Sequence, residues 1–114
     1  MDSSCIFCRI IRGESEAERV YEDEKVLVIR DINPQAPTHL LVLPKKHVAS
    51  ADHVGEDSGI WSDLMKAAAK VARDMGLPEQ GYRLVVNCGR RAGQTVPHLH
   101  VHLLAGRPFR WPPG

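Results

Sequence analysis

The stretch His98-Leu99-His100-Val101-His102-Leu103-Leu104 alternates imidazole and aliphatic side chains along most of its length. Strict alternation is the pattern of a β-strand, whose successive side chains point to opposite faces of a sheet. We therefore expect the aliphatic face to pack on a core and the histidine face to be open to solvent or a ligand. Three imidazoles bury little apolar surface, and their charge changes near neutral pH. We interpret the histidine face as functional.

The segments before this strand predict an α+β fold. Residues 5–12 carry apolar side chains at the spacing of a short helix, and Gly13 is suited to ending it. Three β-prone runs, a longer amphipathic helix and a further strand follow, at 19–22, 25–30, 38–43, 57–75 and 81–88. Asp57 or Ser58 is suited to capping the longer helix. The order α-β-β-β-α-β-β predicts an antiparallel five-stranded sheet with two helices on one side, in a single domain spanning 1–114.

Composition excludes several classes of protein. The chain has 114 residues with a formal net charge of +1, so it lacks the basic surface that coats nucleic acid. Any phosphate group must therefore be bound at a local site. No apolar run approaches the roughly 18 residues of a membrane span, and residues 1–5 lack the features of a signal peptide. We expect a cytoplasmic protein with no nucleic-acid or membrane partner.

The three cysteines are Cys5, Cys8 and Cys88. An odd number in a reducing compartment argues against a disulfide framework. Cys5 and Cys8 have the CxxC spacing of two thiolate metal ligands, although two reduced cysteines on a short helix remain an alternative. A redox pair is disfavoured because no thioredoxin-like βαβ pattern surrounds it. We interpret Cys88 as a small buried hydrophobe within a strand.

The loop before the histidine strand is a candidate anion site. Gly93, Gln94 and Thr95 offer backbone N–H groups, an amide and a hydroxyl, and Asn87 adds an amide from the preceding strand. A metal held by all three histidines is disfavoured, because the first and last backbones of the run lie about 13 Å apart in a strand. One or two of the histidines could still bind a metal.

The histidine run resembles the signature of the histidine triad (HIT) family, His-φ-His-φ-His-φ-φ with φ apolar. The stretches 31–39, 44–47, 93–96 and 111–114 are similar to further motifs of the family, in its histidine triad nucleotide-binding protein (protein kinase C-interacting protein) branch. The resemblance implies a HIT-like fold and a homodimer that binds purine nucleoside monophosphates. It also implies hydrolysis of nucleoside phosphoramidates or acyl-nucleotides through a nucleotidyl-histidine intermediate.

The resemblance also implies roles for individual residues. By matching position, His100 is the nucleophile, His102 hydrogen-bonds the phosphate oxygens, and His39 lies beside the triad and sets its hydrogen bonding. Asp31 binds the ribose hydroxyls. The base pocket and the phosphate contacts complete the expected nucleotide site: Phe7, Ile32 and Leu41, then Asn87, Gly93, Gln94 and Thr95.

A structural zinc is a further implication of the resemblance. Many bacterial members look alike in pairing a CxxC with two histidines, which in this chain are His47 and His98. A zinc bound by these two histidines together with Cys5 and Cys8 would attach the N-terminal helix to the histidine strand. It would not take part in the chemical reaction.

Three alternative functions remain open. A dinucleoside polyphosphate hydrolase of the same superfamily needs room for a second nucleotide, and the tail at 111–114 favours the phosphoramidase type. A non-catalytic nucleotide-binding module that recruits partner proteins would not require a nucleophile at His100. A metal-dependent hydrolase with the triad as ligands is disfavoured by the length of the strand.

Overall fold

The computed structural model describes residues 4–56 and 58–114. Two sequence predictions therefore concern residues outside the described ranges: the lack of signal-peptide features, which includes Met1–Ser3, and the capping of the longer helix by Asp57. The helices and strands are α1 (Ile6–Ile11), β1 (Arg19–Glu22), β2 (Val26–Arg30), β3 (Thr38–Pro44), α2 (Ile60–Asp74), β4 (Tyr82–Val85) and β5 (Val101–Ala105). The strands pair antiparallel in the order β1-β2-β3-β5-β4. The predicted α+β class, with five strands and two helices, is confirmed.

The two helices cover opposite faces of this sheet. Val28 and Val42 pack into the core beneath α2, whereas the alternate residues Leu27 and Leu43 pack beneath α1. The prediction that both helices lie on one side was wrong. Strands β2 and β3 are buried on both faces, which is why their sequences are continuous apolar runs and do not alternate.

Helix α2 buries the apolar stripe that its sequence predicts. The fully or nearly fully buried positions recur at helical spacing, at Leu64, Ala67, Ala68, Val71 and Ala72. The helix begins later than predicted, because Gly59 is the N-cap and makes no side-chain capping bond. The expected cap by Ser58 was wrong, since its hydroxyl donates to the backbone carbonyl of Gly55.

The last two strands are shorter than predicted. Strand β4 ends at Val85, so Cys88 lies in an exposed loop, and its interpretation as a buried strand residue was wrong. Strand β5 begins only at Val101, and the residues from 98 to 100 form an irregular lead-in. Leu99 nevertheless remains buried on the α2 face with Val101 and Leu103, so the alternation persists beyond the paired strand. Among the described residues, none of the helices combines the length and apolarity needed to cross a bilayer.

The turn after β5 approaches the loop before β3 so closely that it requires glycine. A Cβ on Gly106 would lie 2.7 Å from the Cβ of Pro37, and its φ of +96° is in the left-handed region. We expect Gly106→Ala to lower the free energy of unfolding by about 2–3 kcal/mol. Gly13→Ala is the matched control, because Gly13 has a φ of +79° with open space around it and should lose only about 1 kcal/mol. Equal losses in urea unfolding would show that the contact with Pro37 does not matter.

Candidate active site and metal centre

The histidine face of the strand is less open to solvent than the sequence predicts, because two of its three imidazoles are buried. His98 is fully buried and His100 is 7% exposed, whereas His102 is half-buried. The cover comes from α1. Phe7 of that helix meets the rings of His98 and His100 edge-on, with centroid distances of 5.8 and 5.2 Å.

Backbone carbonyls determine which nitrogen carries the proton in two of these rings. His98 Nε2–H donates to the carbonyl of Pro44 at 2.9 Å, and His100 Nδ1–H donates to the carbonyl of His98 at 2.7 Å. A carbonyl can only accept, so in the neutral ring the other nitrogen keeps its lone pair. That nitrogen is Nδ1 in His98 and Nε2 in His100.

His102, the third histidine of the run, carries its proton on Nε2, whereas His100 carries it on Nδ1, and His39 determines this. The backbone N–H of Gln35 donates to Nδ1 of His39 at 3.0 Å, so the proton of a neutral His39 is on Nε2. That Nε2–H donates to Nδ1 of His102 at 2.9 Å, and the Asp31 carboxylate lies 3.4 Å from the same Nε2. His102 therefore has its proton on Nε2 and is a hydrogen-bond donor for a ligand.

Burial keeps this pair of histidines neutral. Desolvation, with smaller contributions from His100 and His39, lowers the pKa of His102 to about 4. Desolvation also lowers the pKa of His39, although the Asp31 carboxylate opposes the shift. Neutral rings are required by the hydrogen-bond chain, because a protonated His102 could not accept from His39.

The low pKa of His102 predicts a loss of stability in weak acid. Below its ordinary pKa of about 6.5, the unfolded chain binds a proton that the folded protein excludes until about pH 4, so stability falls as the pH falls through that window. Urea unfolding should show this fall, and His102→Gln should show a shallower one. Both proteins retain the other titrating groups, so parallel pH profiles of the wild type and the variant would contradict the low pKa of His102.

A cavity of about 380 Å³ lies between α1, the start of the loop after β2 and the lead-in to β5, and we call it the α1 cavity. This volume is in the range of small-ligand sites. Six residues predicted for nucleotide binding or catalysis line it: Phe7, Asp31, Ile32, Leu41, Thr95 and His100. Ile32 is 98% exposed at its edge. Sequence reasoning missed Ile10, Ala17 and Val96 as lining residues, although Ile10 follows Phe7 at helical spacing.

Other predicted phosphate contacts do not line this cavity. Both ends of the Gln94 amide are bonded to backbone: Oε1 accepts from Gly89 N–H at 2.9 Å, and Nε2 donates to the carbonyls of Ala49 and Val96. The Gln94 side chain therefore stabilises the loop between β4 and β5. The Asn87 amide lies beside Gly93, at 3.7 Å from the position that a Cβ would take.

Four side chains of the types that bind metal ions lie close together at the start of the segment 98–100, which precedes β5: Cys5, Cys8, His47 and His98. We call them the metal cluster. Their ligand atoms all lie within 4.8 Å of one another, with S···N distances of 3.2, 3.4 and 3.6 Å and an N···N distance of 3.1 Å. Around a tetrahedral zinc, a sulfur and a nitrogen lie about 3.6 Å apart and two nitrogens about 3.3 Å apart. The donor set and its spacing fit zinc.

The surroundings of the metal cluster favour a cation in two ways. The bond from His98 Nε2–H to Pro44 directs the lone pair of Nδ1 into the cluster, an arrangement typical of metal-ligating histidines. Burial and the neighbouring Cys5 raise the pKa of Cys8 to about 11, so a thiolate there needs a metal to stabilise it.

A second group of potential ligands, Asp31, His39 and His102, is also within 4.8 Å. The bond from Gln35 N–H to His39 Nδ1 keeps the proton on Nε2, the nitrogen that faces the other two residues. These contacts favour a hydrogen-bond chain over a metal site.

Comparisons with known proteins agree with this geometry. The HIT domain family model matches residues 12–109. The chain belongs to the HIT family. It is 48% identical over 115 residues to an uncharacterised HIT-like protein of Synechocystis, and the match covers all of both chains. It is 49% identical to a 14 kDa zinc-binding protein of Zea mays, and that match covers 99% of this chain and 90% of the relative. The crystal structure of a HIT family hydrolase from Legionella pneumophila superposes with a TM-score of 0.93 at 50% identity, covering 96% of this chain and 99% of the other.

Family membership supports a general kind of activity. HIT proteins bind nucleotides and often form dimers, and the structural neighbours support a hydrolase. One relative is named a zinc-binding protein, and the metal cluster of this HIT protein has the side chains that a zinc site needs. The narrower resemblance to the nucleotide-binding branch stays a prediction.

Proposed function

We propose that this HIT protein hydrolyses purine nucleoside phosphoramidates or acyl-nucleotides through a nucleotidyl intermediate on His100 and releases a nucleoside monophosphate. The observation that carries the proposal is the bond from His100 Nδ1–H to the carbonyl of His98. It leaves a lone pair on Nε2 of a side chain that lines the α1 cavity. A neutral imidazole with that lone pair attacks phosphorus without a separate base.

The first step forms one bond and breaks another. His100 Nε2 attacks the α-phosphorus, the bond from phosphorus to the leaving nitrogen or acyl oxygen breaks, and a leaving amine takes up a proton from solvent water. The substituted ring becomes an imidazolium, and the His98 carbonyl stabilises it by accepting the Nδ1–H bond. His102, with its proton on Nε2, donates to a phosphate oxygen as negative charge develops.

The second step is hydrolysis of the intermediate. A water molecule attacks phosphorus and releases a proton to solvent, which balances the proton that the leaving amine took up. The bond to His100 Nε2 breaks, and the imidazole returns to its starting tautomer as the nucleoside monophosphate leaves. Two displacements replace one difficult step, which is the benefit of covalent catalysis. The backbone acceptor at His98 is present before and after each step, so the ring does not need to reorient.

The rest of the cavity supports a nucleoside monophosphate as ligand. Phe7, Ile32 and Leu41 supply an apolar slot for a purine face, and Asp31 supplies a carboxylate for ribose hydroxyls. Thr95, which also lines the cavity, supplies a hydroxyl for the phosphate in this proposal. We also propose that the protein is cytoplasmic and a homodimer, and β4, at one end of the sheet, has an edge at which a second copy can pair.

The test is turnover of adenosine 5′-phosphoramidate, followed as release of AMP and ammonia. A reaction quenched in alkali during turnover should yield protein with an adenylyl group on His100, because a phosphorus–nitrogen bond to histidine is labile in acid. Diadenosine polyphosphates are the comparison substrates. Turnover of those alone would favour the dinucleoside polyphosphate hydrolase, and AMP binding without any turnover would favour a binding module.

A further inference from the structure

Helix α1 belongs to two sites at once. Cys5 and Cys8 stand at its first turn and contribute two members of the metal cluster, while Ile6, Phe7 and Ile10 form one wall of the α1 cavity. The helix has six residues, and a helix this short is not stable without external contacts. Its position therefore depends on contacts with the rest of the chain, which include the sheet residues beneath it and the groups that hold Cys5 and Cys8 at its N-terminal end.

Phe7 and His98 connect the metal cluster to the nucleophile. The ring of Phe7, which lies between the two cysteines in sequence, contacts the rings of both His98 and His100. His98 supplies a nitrogen to the metal cluster and a carbonyl to His100 Nδ1–H. Whatever fixes His98 and the first turn of α1 thus also fixes the wall of the cavity and the orientation of the His100 ring.

We propose that metal binding at the metal cluster and nucleotide binding in the α1 cavity strengthen each other through α1, with Phe7 as a positioning residue for His100. This inference rests on the proposed function, because it needs a nucleotide in that cavity. Coupling of this kind is reciprocal: the factor by which zinc tightens AMP binding equals the factor by which AMP tightens zinc binding. We expect a factor of about ten, within the usual range for coupled sites.

The test measures both halves of the coupling. Calorimetry gives the Kd of AMP for zinc-loaded and metal-depleted protein, and competition with a chromogenic chelator gives the Kd of zinc with and without saturating AMP. The two ratios should agree. Cys88→Ser, which alters the exposed cysteine outside the metal cluster, is the control and should keep the full factor.

A second variant tests the route without changing a metal ligand. Phe7→Leu keeps an apolar side chain but removes the aromatic contact with both imidazoles. Its zinc affinity without AMP should match the wild type, while the coupling factor falls towards one. In the zinc-loaded variant, the imidazole ¹⁵N and ring ¹H signals of His100 should shift and broaden, because the ring loses a packing contact that fixes its orientation. This readout applies even if metal-depleted protein unfolds.

The outcomes separate this inference from the proposed function. Equal AMP affinity of folded zinc-loaded and metal-depleted protein overturns the coupling and leaves the hydrolase proposal standing. Unchanged His100 signals in Phe7→Leu overturn the positioning role. Failure of zinc-loaded protein to bind AMP at all overturns the nucleotide site, and the coupling with it.

Discussion

Replacing His100 with alanine is expected to lower kcat/KM for adenosine 5′-phosphoramidate by on the order of 10⁴-fold or more. The variant lacks the imidazole that lines the α1 cavity and supplies the nitrogen of the proposed covalent intermediate. AMP affinity should change far less, because most of the cavity wall remains. The measurement is AMP release under single-turnover conditions, with calorimetry for AMP binding.

Two further variants make this result specific. His53→Ala is the matched control, since His53 is exposed and its ring hydrogen-bonds with the Ser50 hydroxyl, so turnover should stay within about twofold. His100→Gly leaves space in which added imidazole should restore part of the activity. Turnover by His100→Ala close to that of the wild type would refute the nucleophile assignment.

Loss of the metal cluster is expected to have the largest effect on stability. Cys8→Ser removes a fully buried ligand, and we expect unfolding to become easier by at least about 3 kcal/mol, or roughly 10 °C in Tm. The reason is that zinc binds the folded chain far better than the unfolded one, so its binding energy adds to folding stability.

The third cysteine again supplies the matched control. Cys88→Ser should change stability by less than about 0.5 kcal/mol, since Cys88 is exposed and outside the metal cluster. A strong zinc chelator should lower the Tm of the wild type and leave Cys8→Ser unchanged. Metal analysis of protein purified without chelator should give about one zinc per chain. Protein that is free of zinc and indifferent to the chelator would exclude the metal site.

Local patterns in the sequence were sufficient for several features of the fold. The alternation at 98–104 placed Leu99, Val101 and Leu103 on one buried face, and the 3.6-residue period of α2 identified its core stripe. Such patterns work because the side-chain direction of a strand or helix repeats with a period that is independent of the rest of the chain. The continuous apolar run of β2 is also typical of a strand that is buried on both faces. That pattern would have predicted helices on opposite sides of the sheet.

The sequence by itself determined that three histidines share one face, that a CxxC pair begins α1, and that the chain is α+β. Only the tertiary structure decided that α1 covers His98 and His100, and which nitrogen of each neutral imidazole carries the proton. The physical reason is that the hydrogen-bond partners of a neutral imidazole determine which of its two nitrogens carries the proton. The partners of His98 and His39 are backbone groups of Pro44 and Gln35, and the first of these is 54 residues away in sequence. Their positions depend on how the strands pack, which no local pattern records.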